Sequence, residues 1–369
     1  MSKSLSGEAQ RVFDDGVVAY RRGDMTRAVA LLTQASSLAP DSAEVHFRLG
    51  MALFNSGQVK QAFAAFQRAY TLDPELTDAQ QNAAAALQQL GRTGEARKIF
   101  QQILMRQPRN EMAWVGLADG YRAEGNQSEV AAALTKALEI NPANAATRHM
   151  LNAATGQSPA QAERGYVADL FDLYAPFFDT HLVEKLHYVA PREVIQLLTS
   201  LYPAERFGAA LDLGCGTGLL GVQLSETYRL SPLIGIDLSA NMVKAADKRG
   251  VYTQTRRADI LDYLHAPGPT FDLITATDVF IYVGDLTRVL SACATRLSLE
   301  GVVAFTVEQI DGNGFSLRPN GRYGHGRAYV EGAAAAAGFR IARMHEAPLR
   351  KHAAAPEMGL YFVLEKNAA

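Results

Sequence analysis

The sequence predicts a chain of two fold classes: an all-α solenoid of stacked helix hairpins, then an α/β domain whose mostly parallel sheet is covered by helices on both faces. Three observations predict it. Prolines recur every 34 residues at Pro40, Pro74, Pro108 and Pro142. From about residue 209 onward, short apolar runs alternate with helical stretches, the pattern of strands buried on both sides. The first of those runs opens directly into Asp212-Leu213-Gly214-Cys215-Gly216-Thr217-Gly218. A length of 369 residues gives room for two or three domains, each with its own core.

Composition narrows the function classes. The 36 Lys+Arg against 38 Asp+Glu leave a formal charge of −2, without the basic excess that nucleic acid or an anionic membrane attracts. No nucleic-acid or membrane partner is therefore expected. Mean hydropathy is −0.06, no uninterrupted apolar run approaches a bilayer span, and the stretch MSKSLSGEAQRVFDD has no apolar signal core. A cytoplasmic location is expected. Two cysteines, Cys215 and Cys293, exclude a disulfide framework and a multi-cysteine zinc site; they leave a single pair open and read most simply as two buried thiols.

Each proline of the repeat closes a segment such as SLAP, TLDP or EINP. Twelve residues before it stand Ala28, Ala62, Ala96 and Val130, and eight before it Leu32, Phe66, Phe100 and Leu134. Small residues let two helices approach, bulky ones fill the groove between them, and the proline stops the second helix. Gly16, Gly50, Ala84 and Ala118 supply the small crossing residue of the first helix. This pattern resembles the tetratricopeptide repeat, four copies over about residues 9–142, and ANAATRHMLNAATG reads as a capping helix. The solenoid domain is placed at 1–157. By that resemblance, the concave surface holds Phe13, Val17, Tyr20, Phe47, Met51 and Phe54, then turns polar at Gln81, Gln88, Gln89, Asp119 and Arg122. Such a groove suits a peptide or flexible substrate segment, a protein partner or a second copy of the chain; the same aromatics also serve as packing between helices. The Lys and Asn of a carboxylate clamp for chaperone tails are not at their places.

After the linker GQSPAQAER, the predicted strands are AALDLG (209–214), LIGIDL (233–238), a short one near Tyr252–Arg256, FDLITAT (271–277), GVVAFTVE (301–308), GFRIARM (338–344) and LYFVLEK (360–366). Such sheets bind ligands beyond the carboxyl ends of their strands. The glycines at the first end let the chain turn sharply and let a ligand approach the backbone at a helix N-terminus. Asp237 ends the next strand, 23 residues beyond Gly214, where a carboxylate can accept both hydroxyls of a ribose. Ala258-Asp259-Ile260 follows the third strand, suited to bonding an adenine amino group and packing its face. The third glycine of the dinucleotide pattern is out of phase, which disfavours a nicotinamide cofactor.

With LDLGCGTG, Asp237 and Asp259 in this order, residues 163–369 resemble the class I S-adenosylmethionine-dependent methyltransferases, a Rossmann-like fold with a mostly parallel, seven-stranded sheet. The resemblance implies S-adenosylmethionine as cofactor, S-adenosylhomocysteine as product, and no metal. It also implies roles: Gly214, Gly216 and Gly218 at the methionine part, Asp212 among the cofactor-binding residues, Asp237 on the ribose, Leu238 and Ile260 flanking the adenine, Asp259 on its amino group, and Asp278 beside the cofactor at the substrate opening. RGYVADLFDLYAPFFDTHLVEKLHY looks like the helical lid of these enzymes, with Tyr174 and Tyr166 toward the cofactor carboxylate. Lid and linker are placed at 158–208 and the catalytic core at 209–369. The fusion, with NGRYGHGRAYVEGAAAAAGF downstream, resembles a bacterial family of tetratricopeptide-repeat methyltransferases.

A sulfonium makes its methyl group electrophilic, so the protein mainly aligns a nucleophile, excludes water and, for a hydroxyl or protonated amine, removes a proton. The candidates for acceptor contact are His325, in the loop before a helix starting near Arg327, His181 in the lid, and Tyr282 as a polar lining residue. A lone loop histidine serves equally well as a structural hydrogen-bonding residue. Arg318, Arg322, Arg350 and Lys351 can recognise an anion or simply be solvated. Cys215 reads as a small filler beneath the glycines. The expected function is methyl transfer to an O or N nucleophile of a peptide, protein, carrier-attached or small-molecule acceptor; the alternative is a non-catalytic cofactor-binding scaffold whose repeats supply the function.

Overall fold

A computed structural model describes residues 5–352 and 355–367, with the side chains of all of these except 183–185, 351, 352 and 355. The chain divides into two compact units, 1–151 and 152–369. The division falls within one helix, and residues 158–208 lie in the second unit.

The first unit is the solenoid: α1 (Gly7–Arg21), α2 (Met25–Leu38), α3 (Ala43–Asn55), α4 (Val59–Leu72), α5 (Thr77–Gln89), α6 (Thr93–Arg106), α7 (Glu111–Ala123) and α8 (Gln127–Ile140), with α9 (Ala145–Thr155) crossing the division. Each repeat proline lies just past the second helix of its pair, and Ala28, Ala62, Ala96 and Val130 are buried as the period requires. Gly50 has no alternative, since a Cβ there would stand 2.5 Å from the Phe66 ring. A feature of the period absent from the sequence reading is the turn inside each hairpin, where Gly23, Gly57, Gly91 and Gly125 all take positive φ.

The expected apolar end of the groove is largely packing. Phe47 is buried against Phe66, ring centroids 6.0 Å apart, and Phe13, Val17, Tyr20, Met51 and Phe54 pack on the same cluster. The polar end does line a cavity of about 370 Å³, with Gln81, Gln88, Asp119 and Arg122 in its wall, while Gln89 is exposed outside it. Asn110 caps α7 there, its Oδ1 accepting from Ala113 N at 3.0 Å and from Gln81 Nε2 at 2.9 Å. Asn110→Ala is expected to cost about 1 kcal/mol of solenoid stability, the usual worth of such a cap; a calorimetric transition unchanged in temperature would refute this account of the cap.

The second unit opens with α10 (Arg164–Tyr174), a 3₁₀ turn Ala175–Phe177, a π-helical segment Thr180–Lys185 and α11 (Ala190–Leu201). Then come β1 (Ala210–Leu213), α12 (Leu219–Thr227), β2 (Leu233–Asp237), α13 (Ala240–Asp247), β3 (Gln254–Arg257), α14 (Ile260–His265), β4 (Phe271–Ala276), α15 (Leu286–Arg296), β5 (Leu297–Gln309), β6 (Phe315–Leu317), β7 (Tyr323–His325), α16 (Arg327–Ala336), β8 (Phe339–His352) and β9 (Ala355–Lys366). Strands β3, β2, β1, β4 and β5 run parallel in that order, β9 pairs antiparallel to β5 in register Phe305↔Phe362, and β8 pairs with β9. Apolar layers cover both faces, as the uninterrupted burial of β1 requires.

The seven expected strands are joined by two more, the β6–β7 hairpin, making nine among the described residues. Its strands are three residues long and carry no periodicity to read; Pro319-Asn320-Gly321 turns the chain, with Gly321 N donating to Arg318 O at 2.8 Å. β7 pairs with the last residues of β5, Glu308↔Gly324 and Gln309↔His325, on the side opposite β9. The hairpin thereby continues the sheet beyond the end of β4, whose pairing with β5 stops at Phe305. No helix among the described residues is long and apolar enough to cross a membrane.

Candidate active site

The turn out of β1 is built from left-handed glycines: φ is +60° at Gly214, +55° at Gly216 and +89° at Gly218. A Cβ at Gly214 would stand 2.5 Å from Val279 Cγ2, so the loop can lie against the end of β4 only without a side chain there. Gly218 caps α12. One strand over, Asp237 anchors the loop: its Oδ2 accepts from Gly216 N at 3.0 Å and its Oδ1 from Ser239 N at 2.8 Å. Each carboxylate oxygen keeps a lone pair for a ligand hydroxyl. Burial pushes Asp237 up to about 6, with the backbone N–H donors opposing that shift.

Asp259 caps α14, Oδ1 accepting from Leu261 N at 3.0 Å and Asp262 N at 3.1 Å, and its Oδ2 lies 3.0 Å from Arg164 Nε. The segment 164–185 is tied to the turns after β1 and β2 by two carboxylates. Asp172 accepts from Ser239 Oγ and from Asn241 N, and Asp179 accepts from Thr217 Oγ1 and pairs with Arg249. Together these elements enclose a cavity of about 380 Å³ at the carboxyl edge of the sheet.

Ten expected site residues line it: Gly214, Gly216, Asp237, Leu238, Asp259, Ile260 and Asp278 from the core, Tyr174 and His181 from the lid, and Tyr282. His181 Nδ1 is hydrogen-bonded to the Tyr174 hydroxyl. Four others are elsewhere. Asp212 lies beneath the loop, 2% exposed, accepting from Thr275 Oγ1 at 2.8 Å and Tyr252 Oη at 2.7 Å, and burial pushes it too up to about 6. Gly218 acts as the helix cap, and Tyr166 packs on Tyr282 with ring centroids 6.5 Å apart, outside the cavity lining.

His325 is the clear correction. It stands in β7 and not in a loop, fully buried and outside the cavity lining, with Nε2 donating to the carbonyls of Val283 at 2.9 Å and Gly284 at 3.0 Å. Burial drives it down to about 4, so it is a neutral structural residue holding the hairpin to the segment after β4. Both cysteines are buried free thiols; burial raises Cys215 and pushes Cys293 up to about 12.

The cavity also contains residues whose role the sequence left open. Arg350, 2% exposed at the far end of β8, pairs with Asp278 and Glu308, and Arg322 from the hairpin lines the same wall. The side chain of Lys351 lies outside the described residues.

The raised acid at Asp237 has two opposite pH consequences. For the unliganded fold, carboxyls held above their unfolded value near 3.9 contribute stability that is present at low pH and lost as pH rises through about 6. For a ligand that donates to the carboxylate, affinity is full above about 6 and falls by up to about tenfold per pH unit below it. S-Adenosylhomocysteine affinity is thus expected to fall between pH 7 and 5; calorimetric affinities flat over that interval would refute Asp237 as an acceptor.

Comparisons with known proteins find similar domains. A methyltransferase-domain family model matches residues 211–303, and tetratricopeptide-repeat models match 13–76 and 53–118. The malonyl-[acyl-carrier protein] O-methyltransferase of Geobacter sulfurreducens is 29% identical over 120 residues, 31% of this chain and 45% of that protein. The trans-aconitate 2-methyltransferase of Agrobacterium fabrum is 34% identical over 107 residues, 29% of this chain and 41% of that protein. The chain spans less than half the length of these curated relatives. Among solved structures, the [4+2]-cyclase SpnF is 18% identical with a TM-score of 0.47, over 57% of this chain and 99% of that one. MamA from Desulfovibrio magneticus is 19% identical with a TM-score of 0.39, over 41% of this chain and 86% of that one. By these matches, the chain carries tetratricopeptide repeats over residues 13–118 and a methyltransferase domain over 211–303.

Proposed function

We propose that the protein is a cytoplasmic S-adenosylmethionine-dependent methyltransferase acting on an O or N nucleophile, with the repeats recognising the acceptor or a second copy of the chain. The observation that carries this reading is Asp237: a buried carboxylate, pinned by two backbone donors beside left-handed glycines, with lone pairs open to a largely apolar cavity. The residues fit the cofactor. Asp237 takes the ribose hydroxyls, Leu238 and Ile260 the adenine faces, and Asp259 the adenine amino group. When bound, the cofactor supplies an electrophilic methyl group. The chain's residues do the rest: the lid latched through Asp172 and Asp179 excludes water, and Tyr174, His181, Tyr282 and Asp278 border the space where an acceptor is aligned. The names of the two relatives, an O-methyltransferase and a trans-aconitate methyltransferase, support transfer to an acceptor of this kind.

The experiment is transfer of labelled methyl from S-adenosylmethionine into a cell extract fractionated by size, comparing wild type with Asp237→Ala. Label in the macromolecular fraction that the variant abolishes supports repeat-guided methylation, and base lability marks an ester. Label only in small molecules assigns the repeats another role. Cofactor binding with no transfer into any fraction favours the non-catalytic scaffold instead.

A further inference from the structure

The cavity has a charged end that the cofactor assignment leaves unused. Asp237 and Asp259 stand on the β2–β3 side of β1, whereas Asp278, Arg322 and Arg350 come from β4, the β6–β7 hairpin and β8, on the other side. Behind them Glu308, fully buried in β5, receives Arg350 Nη2, Arg318 Nη1 at 2.8 Å and Arg322 Nη1 at 3.4 Å. Arg318 is held a second time, by Glu357 at 2.6 Å, and Arg350 a second time, by Asp278. Arg322 therefore has the weakest carboxylate contact of the three guanidiniums, and it lines the cavity where Arg318 does not. Its remaining N–H groups are the donors this end offers to an anion, in the planar fork that fits a carboxylate.

Asp278 supplies the complementary feature. Its φ of +59° is uncommon for a residue with a side chain, its Oδ2 is spent on Arg350, and its Oδ1 is buried with no hydrogen-bond partner. Thr277 Oγ1 beside it is likewise unpartnered, and both residues line the cavity. An orphaned carboxylate oxygen in a cavity wall is costly unless a ligand donates to it.

We infer that the methyl acceptor is a hydroxy or amino acid, its carboxylate bound by Arg322 and its O–H or N–H presented to Asp278 Oδ1. The inference rests on the methyl-transfer reading and narrows it to a substrate class. The bare oxygen alone would suit any donor, and Arg322 alone any anion; one wall offering both selects molecules that carry both groups.

The test is calorimetry of the protein saturated with S-adenosylhomocysteine and titrated with malate, aspartate and the uncharged diamide malamide, in wild type, Arg322→Met and Arg322→Lys. At least one of the two acids is expected to bind, with malamide about 30-fold weaker or worse, as loss of a charge-assisted pair implies. Arg322→Met is expected to weaken acid binding by a similar factor, Arg322→Lys to recover part of it, and S-adenosylhomocysteine affinity to stay within about twofold in both variants. That unchanged affinity also shows that the variants are folded. Equal binding of acid and amide, or binding of neither acid, would overturn the inference. So would a tenfold or greater loss of S-adenosylhomocysteine affinity in Arg322→Met, which would assign the guanidinium to the cofactor's own carboxylate. Wild-type protein that fails to bind S-adenosylhomocysteine overturns the methyl-transfer reading itself, and this shows in the first titration, before any acid is added.

Discussion

Asp237→Ala is expected to weaken S-adenosylhomocysteine binding by about 100-fold or more, because two hydrogen bonds to a buried carboxylate are lost and each is worth about 1.5–3 kcal/mol. The substitution also leaves Gly216 N and Ser239 N without the carboxylate that anchors the glycine loop. Part of the loss is therefore a loop no longer held in its binding shape. Asp237→Asn is the intermediate case, since its single amide oxygen can still accept from one of the two backbone N–H groups while its NH2 meets the other and the charge is gone. Calorimetry should rank wild type above Asn above Ala. A folded Asp237→Ala protein with wild-type affinity would remove the site assignment and, with it, the function proposed from it.

Arg350→Met is expected to destabilise the second unit by about 3 kcal/mol at neutral pH, the scale on which breaking a buried ion pair is felt. The loss comes from what stays behind: Asp278 keeps no ion pair, and Glu308, with no exposed surface, keeps only Arg318 and the longer contact to Arg322. Burial already raises Glu308, and removing a guanidinium raises it further. A carboxyl with a raised folded value contributes stability at low pH and loses it as pH rises, so the variant's deficit should be larger at pH 8 than at pH 5. Calorimetry is the method of choice because the two units of the chain can unfold separately and the single tryptophan, Trp114, reports only on the solenoid. The double variant Arg350→Met/Glu308→Gln should recover part of the loss. A second transition unmoved at pH 8 would mean that the cluster is solvated and exerts no such hold.

Particular elements show how far the residues could be read in one dimension. The solenoid was legible because each repeat writes its packing into fixed offsets: Phe66 and Gly50 meet inside one 34-residue unit. The glycine loop and Asp237 were legible for a related reason, since turn, strand end and helix cap are neighbours along the chain. The β6–β7 hairpin was not, because three-residue strands are too short for a period and their pairing with β5 is decided by the free edge that β4 leaves. His325 misled for that reason: without the hairpin, a histidine among glycines reads as a loop residue.

By itself, the sequence determined the two fold classes, the succession of strands along the second unit, and the glycine turn and strand-end carboxylate that face the cavity, all of them features carried by local spacing. Only the tertiary structure decided what each charged or titratable side chain faces. Arg350 meets Asp278 and Glu308 from far along the chain, Arg322 reaches the cavity through a hairpin, and His325 turns inward to two carbonyls. The physical reason is that desolvation and Coulomb energy depend on distance and burial, quantities that are set by folding and that no offset along the chain contains.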